Sequence, residues 1–158
     1  MAKQPEFTFT NSEQFISALE SCINWIEKDT TKYQNVPREI TIAQAVIESD
    51  YGRSRFAKQG NNLFGVRTWD LKTPHIKPFN DKNSIFGLKV YETKCDSVKD
   101  YIRILNTGSA FEEFRELRFK MLKKDNIDPL LLVEKLKRFA TDPDYIKIIK
   151  RTIIKLRK

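Results

Sequence analysis

Glu48 stands in an unusual place along the chain. It ends the segment ITIAQAVIES, which carries apolar residues on most sides of a helix, and it precedes Tyr51 and Gly52, where the chain turns outward. Acid–base cleavage of an acetal needs a carboxylic acid that stays protonated near neutral pH. Burial beside residues such as Ala43, Ala45, Val46 and Ile47 supplies one, because a poorly solvated carboxyl resists ionisation. The same position also suits a solvated glutamate paired with Arg53 or Arg55. No other cluster of reactive types stands out. His75 is the only histidine and reads as a surface residue, and Cys22 and Cys95 are 73 positions apart, far from metal-ligand spacing. Neither a metal nor an organic cofactor is implied. The cysteines read as two unpaired apolar-like side chains, with a single disulfide as the alternative.

The elements that must hold Glu48 are mostly helical. Thr10 and Glu13 have capping-box spacing, and Phe15, Leu19, Cys22 and Ile26 recur on one face of a first helix of about twenty residues. Pro37 opens a second helix and Gly52 closes it. Gly65, Pro74, Pro78 and Gly87 then break the periodicity. The polar run Asn80-Asp81-Lys82-Asn83 separates two extended stretches, HIKPF and SIFGLKVY, which predicts a β-hairpin. Helical spacing returns at Val98, Tyr101 and Leu105 and continues to Leu156. Asp128-Pro129 and Asp142-Pro143 read as starts of the last two helices. The expected architecture is a mostly α single domain over residues 1–158 with one small β excursion.

Composition bounds the class. At 158 residues with 40% apolar content, the chain can build a core without staples, and no run approaches the roughly 18 apolar residues of a membrane span. Of 29 basic and 21 acidic side chains, 14 and 6 fall within residues 115–158, so the net +8 lies entirely in that region. Such a field attracts nucleic acid, an anionic membrane surface or an anionic wall polymer alike. The opening MAKQPEFTFTNSEQ lacks the basic and apolar regions of a secretion signal, which fits either a trimmed exported enzyme or a phage protein.

Longer words narrow the chemistry. AQAVIESDYGRS over residues 43–54, followed by NNLFGV over 61–66, closely resembles the AQAxxES and NNLFG motifs of bacterial peptidoglycan glucosaminidases, glycoside hydrolase family 73. FGLKVY (86–91) leading into DSVKDY (96–101) is similar to that family's post-hairpin strand and following helix. ILNT (104–107) with Phe111 and FRELR (114–118) is similar to its Bax-like branch, and FATDPDY (139–145) matches a terminal YATDPxY word with Phe139 in place of a tyrosine. The resemblance covers roughly residues 36–156, leaving about 1–35 with little family signal.

The resemblance implies a lysozyme-like α lobe and a small β-hairpin lobe flanking a glycan-binding cleft. The expected reaction is hydrolysis of the β-1,4 bond after N-acetylglucosamine in peptidoglycan, in the periplasm or at the cell wall. Glu48 takes the family's acid position. Asp81 in the hairpin turn, or else Asp70, is a candidate second carboxylate, and a substrate N-acetyl group could replace either. Asn62, Phe64, Trp69 and Tyr145 are expected to contact substrate. A muramidase or lytic transglycosylase is the near rival, and a nucleic-acid-binding protein using the basic region is the distant one. A monomer, with no nucleic-acid partner and the basic region facing an anionic envelope, is the expected state.

Overall fold

A computed structural model describes residues 3–78 and 81–158. Helix α1 (Ser12–Glu27) begins one residue later than the predicted capping box. Asn11 Oδ1 accepts the Gln14 amide at 2.8 Å, and Gln14 Oε1 reaches back to the Thr10 amide. Asn11 and Gln14 thus take the capping roles expected of Thr10 and Glu13, with Gln14 returning its bond to Thr10, the residue before the cap, and not to Asn11 itself. Helix α2 (Arg38–Ser49) is the centre of the molecule. Its Ile40, Thr41, Ala43, Gln44, Ala45 and Val46 are all buried, between α1 on one side and α7 (Tyr145–Leu156) on the other.

Helix α2 stops by an abrupt reversal in which Asp50, Tyr51 and Gly52 all take positive φ. Ser49 holds this corner by donating to the Ala45 carbonyl and accepting the Gly52 amide. Phe9 and Phe15 close over it so tightly that a Cβ on Gly52 would fall 2.6 Å from Phe9 and 2.8 Å from Phe15. Glycine is required there by space as well as by conformation.

After the short α3 (Arg55–Gly60), the chain enters a three-stranded antiparallel sheet, β1 (Arg67–Thr68), β2 (His75–Ile76) and β3 (Gly87–Lys89), in the order β1-β3-β2. The predicted hairpin is the β2–β3 pair, with Ile76 opposite Leu88. Sequence reading missed β1, because two residues carry no periodicity; it pairs on the far edge of β3, Arg67 opposite Leu88. Phe79 and Asn80, at the expected turn, lie outside the described residues, as do Met1 and Ala2. His75 is half-buried over Gly87 instead of lying free at the surface. Asp100 on α4 (Lys94–Thr107) anchors the sheet by accepting from Lys89 Nζ at 2.9 Å and from the Tyr91 hydroxyl. Burial alone would push the Asp100 carboxyl up, but hydrogen bonds from Tyr91, Lys89 and Arg103 outweigh it and hold the carboxyl below the usual range.

Helix α5 (Glu112–Lys123) leads to α6 (Pro129–Leu132), started as predicted by Asp128 accepting the Leu131 amide. A 3-10 segment, Val133–Phe139, follows. The expected helix start at Asp142 is corrected. Asp142 Oδ1 accepts the Asp144 amide and shapes a turn, and α7 begins only at Tyr145.

The cysteines are also corrected. Cys22 on α1 and Cys95 on α4 form a disulfide with their Cα atoms 5.7 Å apart, because the packing of α1 on α4 brings together residues separated by 73 positions. Cross-linking so long a loop removes unfolded-state entropy worth about 4 kcal/mol in the chain-entropy account. Urea unfolding with and without reductant is expected to show a loss of about 2–4 kcal/mol on reduction; superimposable curves would show the bridge to be energetically idle.

Candidate active site

The end of α2, the 61–69 loop, the junction of α4 with the 3-10 turn Ser109–Phe111, and the segment before α7 enclose an open cleft of about 410 Å³. Glu48 lies in its wall, half-buried. Burial is the leading influence on its carboxyl and raises it above the ordinary range, against smaller opposing effects from a Tyr145 hydrogen bond and the Arg67 charge. A carboxyl raised in this way remains a proton donor at higher pH than a solvated glutamate. The alternative pairing with Arg53 does not form, since Arg53 bridges to Asp50 at 3.1 Å.

The 61–66 loop is built to admit that carboxyl. Asn62 is 1% exposed, and its amide group donates to the Val66 and Lys89 carbonyls while its oxygen accepts the Phe64 and Val66 amides. Asn62, expected from the sequence to contact substrate, has its donors and acceptor committed to folding the loop. Gly65, at φ +66°, faces Glu48 directly; a Cβ there would lie 3.0 Å from Glu48 Oε2. Both the left-handed backbone and the clearance for the carboxylate call for glycine.

Phe64 lines the cleft from below, stacked on Tyr101 with ring centres 4.0 Å apart. Trp69 also lines it, 62% exposed, presenting the kind of open aromatic face that packs on a pyranose ring. Tyr145 is placed differently from expectation. It is buried, and its hydroxyl meets Glu48 and Gln44, so it contacts the carboxyl instead of lining the cleft. Phe139 lies parallel to Tyr145, within the wall.

Asp70 and Asp81 are exposed and neither lines the cleft. Asp70 uses its carboxylate on the Lys72 amide and the Thr73 hydroxyl, and Asp81 contributes backbone bonds to a turn. Three charged residues that do line it, Arg67, Arg138 and Asp142, were not singled out from the sequence. The signal for Arg67 is strand β1, too short to show a period, and Asp142 carries two sequence signals, a helix start and a place in the FATDPDY word, neither of which marks it as cleft lining. Replacement of Gly65 by alanine is expected to lower turnover at least tenfold while shifting the melting temperature only a few degrees; wild-type turnover would show that the clearance at Glu48 is not needed.

Comparison with known proteins agrees with this geometry. Residues 25–158 match the glucosaminidase family, described as mannosyl-glycoprotein endo-beta-N-acetylglucosaminidase. The exo-glucosaminidase LytG of Bacillus subtilis is 31% identical over 121 residues, 72% of this chain and 42% of LytG. Protein bax of Escherichia coli is 28% identical over 107 residues, 67% of this chain and 37% of bax. The chain thus spans well under half the length of these curated relatives. Among solved structures, the catalytic domain of the autolysin Auto from Listeria monocytogenes superposes with a TM-score of 0.66 at 23% identity, covering 99% of this chain and 88% of that one. A glycoside hydrolase domain of Salmonella typhimurium FlgJ superposes at 0.63 and 19% identity, covering 93% and 98%. With the family model matching most of its length, the chain belongs to the glucosaminidase family of glycoside hydrolases.

Proposed function

We propose that the chain hydrolyses the β-1,4 bond after N-acetylglucosamine in the glycan strands of peptidoglycan, with Glu48 as the general acid. The observation that carries this reading is the half-buried Glu48 carboxyl, held above its ordinary range in the wall of an open cleft beside an exposed tryptophan. Glu48 gives its proton to the leaving glycosidic oxygen as positive charge develops at the anomeric carbon. Trp69 offers its open face to a sugar ring, Phe64 forms the apolar floor beneath, and Arg67 and Arg138 give the cleft a cationic rim suited to an anionic polymer.

Asp81 and Asp70, the sequence candidates for a second carboxylate, lie outside the cleft lining, which favours the route needing neither. In that route the C2 acetamido oxygen attacks the anomeric carbon and the leaving oxygen departs with the Glu48 proton. The Glu48 carboxylate then deprotonates the water that opens the cyclic intermediate. Configuration is retained overall. Proton NMR of the first-formed product is expected to show the β-anomer; the α-anomer would reject the acetamido route and return the role to a carboxylate across the cleft.

The disulfide suits action in an oxidising compartment such as the periplasm or the outer wall. Glu48→Gln keeps shape and removes the transferable proton, so release of N-acetylglucosamine reducing ends from purified walls is expected to fall at least a thousandfold. The variant is expected to melt no lower than wild type, since a carboxyl raised by burial costs stability once it ionises. Muramic or anhydro-muramic ends would transfer the assignment to a muramidase or transglycosylase, and salt-sensitive DNA binding with no sugar release would transfer it to the nucleic-acid class.

Exposed Lys147, Arg151 and Lys155 on α7, with Lys120, Lys123 and Lys124 around the end of α5, form the basic region, which we assign to long-range attraction toward an anionic envelope. Turnover on whole walls is expected to drop several-fold between low and physiological salt, while turnover on short neutral oligosaccharides stays level. Equal salt dependence on both substrates would make the region a solubility feature only.

A further inference from the structure

Five polar side chains run from buried α4 to the cleft. The Tyr101 hydroxyl, on a side chain with no exposure, donates to Gln44 Oε1. Gln44, equally buried, donates from Nε2 to the Tyr145 hydroxyl oxygen at 3.0 Å. Tyr145 in turn lies beside Glu48, where its hydroxyl opposes the effect of burial on the carboxyl. On the far side Thr41 lies beside the Tyr101 hydroxyl. Thr41, Gln44 and Glu48 recur at i, i+3 and i+7, so one face of α2 carries three of the members.

An amide differs from a hydroxyl in one respect that matters here. Its oxygen only accepts and its nitrogen only donates, so it cannot reverse the direction of a chain of hydrogen bonds. With Gln44 Nε2 donating to it, the Tyr145 oxygen already accepts one proton, and its own proton is left to point at Glu48. We propose that Gln44 is a positioning residue that aims the Tyr145 hydroxyl proton at the Glu48 carboxyl, as the middle link of a one-way relay from Tyr101 through Gln44 and Tyr145. The proposal rests on the reading of Glu48 as the acid.

The relay serves the second half of the acid's cycle. Burial favours the protonated acid before proton transfer; the aimed Tyr145 proton then stabilises the carboxylate that transfer leaves behind, with no reorientation required at that moment. The other groups facing this site are the Arg67 guanidinium from β1, which also favours the carboxylate, and Arg138 and Asp142 from the segment before α7.

The test is a double-mutant cycle on Gln44→Glu and Tyr145→Phe, read by the carbon-13 titration of the Glu48 carboxyl and by the alkaline limb of the kcat/KM profile. Glutamate keeps the shape of glutamine but offers Tyr145 an acceptor, which draws the hydroxyl proton away from Glu48. The Gln44→Glu variant is expected to move the Glu48 titration upward by about 1 in pH and to reduce kcat at least tenfold. In the Tyr145→Phe background the same substitution is expected to move it by less than a third as much. An equal shift in both backgrounds would mean that the new charge acts through space, and no shift in either would mean that the amide sets nothing; both overturn the proposal. Should Gln44→Glu fail to fold, Gln44→Met takes its place. It is expected to lower kcat and to make a subsequent Tyr145→Phe change nearly silent, and wild-type kcat and titration in Gln44→Met would overturn the relay. Failure of the Glu48 reading itself is separable, because it would appear as an active Glu48→Gln enzyme whatever the carboxyl titration shows.

Discussion

A carboxyl group that is desolvated on one side and open to a cleft on the other imposes a conflicting demand, and the arrangement of α2 follows from meeting it. Glu48 is desolvated by the helix packing around it but placed at the last turn, where α2 runs out of cover. The neighbouring elements adjust to that position. The corner at Asp50, Tyr51 and Gly52 takes the chain away immediately after the acid, and the aromatic cluster of Phe9, Phe15 and Tyr51 holds that corner shut. The 61–66 loop approaches from the other side and is hollowed at Gly65 to leave room for the carboxylate.

Stabilising devices are concentrated where the site would otherwise be loose. The sheet that carries Arg67 and Trp69 is too small to be stable alone, and three strands of two or three residues bury little. It is held from outside by Asn62, which ties the loop to Lys89, and by Asp100, which ties Lys89 and Tyr91 to α4. Helix α4 in turn is bridged to α1 by the disulfide. The cleft therefore sits between a tightly cross-braced helical body and a lobe attached mainly by polar contacts.

Charge is distributed with the same economy. Most of the positive excess lies on residues of the late helices that do not line the cleft, while the cations that share its wall with Glu48 are Arg67 and Arg138. A dense positive field at Glu48 would lower its proton affinity and undo the effect of burial. Most of the positive charge can therefore be carried without cancelling the upward effect of burial on Glu48.

The sequence by itself determined most of the helices, the place of Glu48 at the end of a buried one and the family, because each depends on near neighbours or on short words. Burial of Glu48 followed from the apolar run before it, and the glycine at 65 from a motif read as a turn. Tertiary structure alone decided what depends on distant partners. It joined Cys22 to Cys95, paired Arg67 with Leu88 to make a strand from two residues, committed Asn62 to the backbone, and left Asp70 and Asp81 outside the cleft. It also brought Tyr145 from 97 positions away to the carboxyl of Glu48. Local pattern records how a residue relates to its own helix or turn, whereas the direction of a hydrogen bond across a core exists only once the two helices have packed.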